Sequence, residues 1–199
     1  MTSATAAQPQ FTLNDIEIGA RLFDALAHHA TATQGALITY TDLLTLARKL
    51  HPKDMALDRA VPVGIGMKLL FIERFCAAQG VPNLACLAVN RATMRPAPAY
   101  QQDWDNGRRA VAAVDWPALQ ASLAPYAAMA RAAVPARLKP RKERPADVAW
   151  YAYFCSHRSA CEKITQQNKQ EIINLIMAGL DPETALQRVL AAKADFSEE

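Results

Sequence analysis

The sequence contains no apolar run long enough to cross a membrane. Its richest window, 61–78, is broken by Pro62, Gly64, Gly66, Lys68, Glu73 and Arg74, whereas a spanning helix needs about 18 apolar residues in succession. The first ten residues, MTSATAAQPQ, lack both a basic n-region and an apolar h-region, so they do not read as a secretory signal. These absences lead us to expect a soluble, cytoplasmic protein. Cysteine is scarce: Cys76, Cys86, Cys155 and Cys161 are the whole set. With no export signal they read as thiols rather than disulfides. No nucleotide-binding loop, zinc-peptidase helix motif or hydrolase nucleophile motif is present. The carboxylates are scattered, with no pair in an apolar setting. The expectation is a non-enzyme that needs no metal or other cofactor.

What is present describes a globular, helix-rich chain. The 199 residues suffice for one domain, or one domain with a small helical appendage. Hydrophobic residues make up 51% and charged residues 21%, which argues against disorder. The net charge of +3 is too mild to imply nucleic acid by itself.

Along the chain, 1–10 reads as a disordered tail. Helical spacing of Ile16, Ala20, Phe23, Leu26 and Ala27 predicts a helix over 13–32, capped by Thr12 or Asn14. A short extended stretch at 38–42 leads into a helix ending at His51-Pro52. Residues 55–59 read as a loop or short turn. Pro62 starts a helix stopped by Gly80. Residues 84–89 read as an apolar strand, and 90–94 as the turn of a small β-hairpin or wing. After a surface loop at 95–105, helices are expected over 107–114 and 117–133, the latter kinked or split by Pro125. Residues 134–145, VPARLKPRKERP, form a basic, proline-containing strap. Helices at 146–161, 166–178 and 182–194 complete the chain. The domain plan is therefore a winged-helix-like helical domain at 11–133, the strap at 134–145, and a C-terminal helical segment at 146–199 packing on the domain.

The central order of helix, helix and short strand carries recurring pieces. These are Thr39-Tyr40-x-Asp42-Leu43, Ala60-Val61 followed by Gly64, Cys76-x3-Gly80-x-Pro82, and a strand ending in Val89-Asn90. In these pieces, over about residues 35–95, the chain resembles winged helix-turn-helix accessory proteins of plasmids and other mobile elements. The resemblance implies a mainly α fold with a small β-hairpin. The same order resembles the DNA-binding half of alkylguanine-DNA alkyltransferases, whose strand carries a PCHRV nucleophile motif. Aligning Val89 with that valine puts Cys86 in the nucleophile's place. Ala85, Leu87 and Ala88 replace the proline, histidine and arginine, so no base accompanies the thiol.

A helix that reads DNA must offer polar side chains to base edges. The candidate, 62–79, is apolar nearly all round, with Lys68, Glu73, Arg74 and Gln79 its main polar residues. Such a helix belongs in a core. That leaves three surfaces for a partner. One is the wing, with Arg91 and Arg95. The second is the strap, where Arg137, Lys139, Arg141, Lys142 and Arg144 face only Glu143. Such a strap can meet an acidic protein, track phosphates, or serve only as a solvated linker. The third is the aromatic helix that follows, from which Trp150 and Tyr151 are candidate anchors. Trp150, Tyr153, Phe154 and His157 share a helical face, which reads as a stacking platform or, preferably for Tyr153 and Phe154, as core. Cys155, His157 and Cys161 lack the spacing of a zinc site. The C-terminal stretch reads as a helical hairpin that packs on the main domain or swaps onto a second copy as a homodimer. Taken together, the residues point to an accessory protein of a mobile element that binds a protein partner, with plasmid fertility inhibition (blocking conjugation) as a fitting role. The alternative is a DNA- or RNA-binding regulator using the strap and the wing.

Overall fold

The computed structural model describes residues 11–96 and 104–196, so the tail expected over 1–10 lies outside the described residues. The chain is mainly α. Two helices, α1 (Leu13–Thr33) and α2 (Tyr40–Leu50), are joined through a two-residue strand β1 (Ile38–Thr39). Then come the short α3 (Met55–Arg59), α4 (Gly66–Gln79), strand β2 (Ala88–Val89), α5 (Trp104–Ala112) and α6 (Trp116–Ala132). The last three helices are α7 (Glu143–Ser156), α8 (Gln166–Met177) and α9 (Pro182–Phe196).

Local chemistry sets the helix ends. Thr12 and Asp15 form a reciprocal capping box at the start of α1, and Thr39 accepts the Asp42 N–H at the start of α2. Gln34 and Gly80 close α1 and α4 in the left-handed conformation. Asp181 caps α9 by accepting the Thr184 N–H at 2.9 Å.

Several expectations are corrected. The strand expected over 84–89 is mostly a 3-10 turn, Leu84–Leu87, whose Ala85 N–H is taken by the Asn83 side chain. Only β2 is extended. It pairs in parallel with β1, Ile38 opposite Ala88 and Thr39 opposite Val89. Among the described residues there is therefore no β-hairpin. Residues 90–95 form a tight turn closed by the Asn90 N–H on the Arg95 carbonyl. The apolar run gave no alternation to separate strand from buried turn, and all four residues of the turn are buried. Pro62 opens a separate 3-10 turn, Pro62–Gly64, ahead of α4. Pro125 does not split α6. It and Ala121 lie on the exposed side, where water can satisfy the carbonyl that proline leaves unpaired. Helix α7 begins three residues early, because Pro145 sits in the first turn, where a missing N–H costs nothing. It ends at Ser156, and Arg158–Cys161 is a separate 3-10 turn.

Two apolar clusters form the core. The larger joins α1, α2, α4 and α6, with Phe23 edge-on to both Phe75 and Trp116. As expected, α4 is a core helix, burying Leu69, Phe71, Ile72, Phe75 and Cys76. The smaller joins α7, α8 and α9 around Trp150, Ile172, Ile176 and Leu186.

A buried ionic network connects the clusters. Lys68 of α4 places Nζ 3.0 Å from Glu171 Oε1 on α8, 2.7 Å from the Gly64 carbonyl and 3.6 Å from Asp15 Oδ1 on α1. Arg188 of α9 donates to Asp15 Oδ2 at 2.6 Å. Asn174 donates both to Glu171 Oε2 and to the Arg59 carbonyl. Gly64 is required by close approach: a Cβ there would lie 2.1 Å from the Glu171 carboxyl carbon. Burial alone would push the Asp15 carboxyl up, but Arg188, Lys68 and the Thr12 backbone N–H outweigh it and hold it below its ordinary value.

Replacing Asp15 by Asn leaves the buried Lys68 and the partly exposed Arg188 short of one carboxylate. The expected loss is about 3–5 kcal/mol at pH 7, read by urea unfolding. Because the folded-state pKa is depressed, the wild-type advantage is complete above the unfolded value of 3.8 and shrinks as pH falls below it. An unchanged midpoint at pH 7 would refute the assignment of this network as a structural joint.

Candidate functional site

The strap is docked rather than loose. The Arg141 N–H donates to the Met177 carbonyl at 2.7 Å. Gly179, at φ 104°, lies against the backbone of Leu138 and Lys139, where a Cβ would come within 2.7 Å. With the backbone held on the α8–α9 corner, Arg137, Lys139, Arg141, Lys142 and Arg144 are all exposed. Arg144 belongs to the first turn of α7 and not to the strap proper.

Helix α7 separates its aromatics by face. Trp150 is 3% exposed and belongs to the smaller core. Its indole therefore supports the fold, and as an anchor offered to a partner it is corrected. Tyr151 points the other way and is 67% exposed. Tyr153 is half-buried and stacks on His157, ring centres 4.1 Å apart. Phe154 is exposed, against the core placement expected of it. Arg91 and Arg95 are exposed in the 90–95 turn. The Arg95 and Arg108 guanidiniums lie 5.9 and 5.1 Å from the centre of the Trp104 ring, and Trp104 donates its indole N–H to the Cys86 carbonyl. The expected surfaces are thus two separate places in the chain: the strap with α7, and the 90–95 turn.

Cys86, the alkyltransferase-like position, is buried, and burial pushes its thiol up to about 11. That disfavours the thiolate a nucleophile needs. Cys76 is raised to about 11 for the same reason. Among the described residues no group of three or more His, Cys, Asp or Glu side chains is placed to hold a metal. No helix among them is long and apolar enough to cross a membrane.

Sequence reasoning missed one polar constellation on the surface. Asp24 of α1, His51 at the end of α2 and Gln120 of α6 meet at the head of an open groove of about 510 Å³, floored by Ala27, Ala32, Leu50 and Pro117. His51 Nε2 lies 3.1 Å from Asp24 Oδ2, and Gln120 donates to Asp24 Oδ1. Burial raises the Asp24 carboxyl above its ordinary value despite His51 and Arg21 nearby. The 27- and 96-residue separations of these partners left no local signal.

Comparison of the chain with protein-family models, with curated proteins and with solved structures returns no match. The mobile-element resemblance therefore rests on the quoted residues of the central segment.

Two measurements check this geometry. In the native protein Cys155, the exposed one of the four thiols, should react quickly with N-ethylmaleimide, while the buried Cys76, Cys86 and Cys161 should wait for unfolding. Fast labelling of Cys86 would contradict its burial. For Asp24 the raised folded pKa means that its ionised form weakens the fold, a loss that sets in as pH rises from 3.8 through the folded value. Asp24→Asn should then raise the thermal midpoint at pH 8 by about 2 °C and bring no gain below pH 3.5. A lower midpoint at pH 8 would show that the carboxylate is needed.

Proposed function

We propose that this chain is a non-enzymatic accessory protein of a mobile element that acts by binding an acidic surface of a protein partner. The observation that carries the reading is the docked strap and the start of α7: five exposed cations, four of them on a strap backbone pinned to the α8–α9 corner. A backbone already fixed loses less conformational entropy on binding than a free linker would, and a one-signed patch speeds encounter and selects acidic partners. The exposed Tyr151 beside it adds a residue type that leads binding hot spots. The assignment to a mobile element is supported by the plasmid-like pieces between Thr39 and Asn90. Within that group, fertility inhibition, in which a small protein blocks the transfer machinery of a rival plasmid, suits a chain without a recognisable reaction centre.

A second reading is a DNA- or RNA-binding regulator. It is favoured by the 90–95 turn, where Arg91 and Arg95 are exposed and Arg95 lies over Trp104. Against it, α4 spends its side chains on the core and has little to offer base edges.

The test is affinity capture from cells carrying conjugative plasmids, with wild type and a variant in which Arg137, Lys139, Arg141, Lys142 and Arg144 are all Gln. A reproducible protein partner, lost or weakened at least about tenfold in the variant, is expected; tenfold corresponds to roughly 1.4 kcal/mol. No partner, or capture indifferent to the five substitutions, would overturn the reading. A parallel salt titration on random duplex and single strands favours the regulator if binding appears at low salt with a steep salt slope.

A further inference from the structure

The solvent face of α7 is better defined than a generic sticky patch. Arg144, Val148, Tyr151 and Cys155 stand at i, i+4, i+7 and i+11, so they form one stripe along the helix. At 1.5 Å per residue the stripe is about 17 Å long. Val148 is 60% and Tyr151 67% exposed, and Phe154 flanks them. Cys155 follows Tyr151 by one helical turn, and the thiol beside it lifts the Tyr151 phenol above its ordinary value. The opposite side of the helix, with Ala146 and Trp150, faces the smaller core.

Charge is sorted along the same stripe. Its N-terminal end gathers the strap's Arg141 and Lys142 and the helix's own Arg144, whose side chains make no ion pair among the described residues. The two acids of α7 near that end are engaged elsewhere: Glu143 lies 4.0 Å from Arg59, and Asp147 lies 3.5 Å from Lys169. The rest of the stripe is uncharged.

We propose that this face docks an acidic, amphipathic helix of the partner protein, its acidic end over Arg141, Lys142 and Arg144 and its apolar side along Val148, Tyr151 and Cys155. The proposal rests on the protein-binding reading above. A helix is the occupant because a stripe at helical spacing interlocks with ridges of the same spacing, whereas an extended strand repeats every two residues. A nucleic acid would find cations at one end only and an apolar seam beyond. A second copy of this chain would bring the same cations and no acid on its own stripe, so its charge would go unanswered.

The experiment uses the full chain and the single exposed thiol. The modification rate of Cys155 by N-ethylmaleimide is followed with an 18-residue helical peptide carrying Leu on one face and Glu beside it. Its scrambled sequence, its Lys-for-Glu version and a single-stranded oligonucleotide serve as comparisons. At about four times its Kd the Glu peptide occupies roughly four-fifths of the chain and should slow Cys155 about fivefold by mass action, while the other three leave it unchanged. Val148→Ser with Tyr151→Ser should abolish protection, and Arg144→Glu should turn the preference toward the Lys peptide. Both changes are on exposed positions, and an unchanged unfolding midpoint confirms that the fold is kept. No protection at millimolar peptide, equal protection by the scramble, protection by the oligonucleotide, or a thiol already shielded by self-association would each overturn the proposal. Failure of the seam is distinguishable from failure of the broader reading. If capture from cells needs the strap cations but survives the Val148 and Tyr151 changes, the partner stands and the seam falls.

Discussion

Three buried charges and a fourth, partly exposed at their rim, decide how this molecule is put together. Lys68, Asp15, Glu171 and Arg188 come from α4, α1, α8 and α9, and so from both apolar clusters. Taking such groups out of water is expensive, and their mutual attraction offsets that cost only where geometry and hydrogen bonding are complete. Here Thr12 N–H and hydroxyl, the Gly64 carbonyl and Asn174 take up further valences, and Asp15 Oδ1 is met only by the Lys68 ammonium at 3.6 Å. The arrangement tolerates little displacement, since any slide of the C-terminal helices would leave a lysine or a carboxylate alone. Two apolar surfaces could meet in many registers. The ionic joint admits one.

That single register has consequences at the surface. Docking α8 and α9 places the Met177 carbonyl and Gly179 where the strap can lie, and so fixes where its cations point. It also turns α7 so that Trp150 enters the smaller core and Tyr151 leaves it. The exposed stripe on α7 is what its packing on α8 and α9 in the smaller core leaves outward, while the ionic joint fixes how that core meets the larger one.

Much of the fold was legible in the sequence because it is local. The cap at Thr12 and the stop at Gly80 act within a few residues, and the all-round apolarity of 62–79 announced a core helix. The parallel pairing of Ala88–Val89 with Ile38–Thr39 was not legible: the six-residue apolar run 84–89 reads alike as strand or as buried turn, and the choice is made by residues 50 positions away. The joint was hidden for the same reason. Lys68 looked like one of the few polar residues of an apolar helix, and its partners lie 53 and 103 positions distant. The candidate surfaces divide similarly. The basic strap is a feature of composition and was visible. That Trp150 is inward and Val148 outward depends on which side of α7 meets α8, and no local period decides between two half-apolar faces.

The mild net charge of the chain conceals this division. Residues 134–145 carry five cations against one acid, a surplus of four that exceeds the +3 of the entire sequence. The remainder of the chain is therefore slightly acidic. Within it the buried Lys68, Asp15 and Glu171 cancel only together with the partly exposed Arg188. At physiological salt a charged partner senses only what lies within about 8 Å. Such a partner approaching the α8–α9 corner meets a concentrated positive strip and not a weakly basic protein. Charge of this kind sets where encounter occurs, and the apolar stripe that begins at Arg144 offers contact area once encounter is made. The two features share one helix end. A partner matched to only one of them would forgo either the approach or the burial.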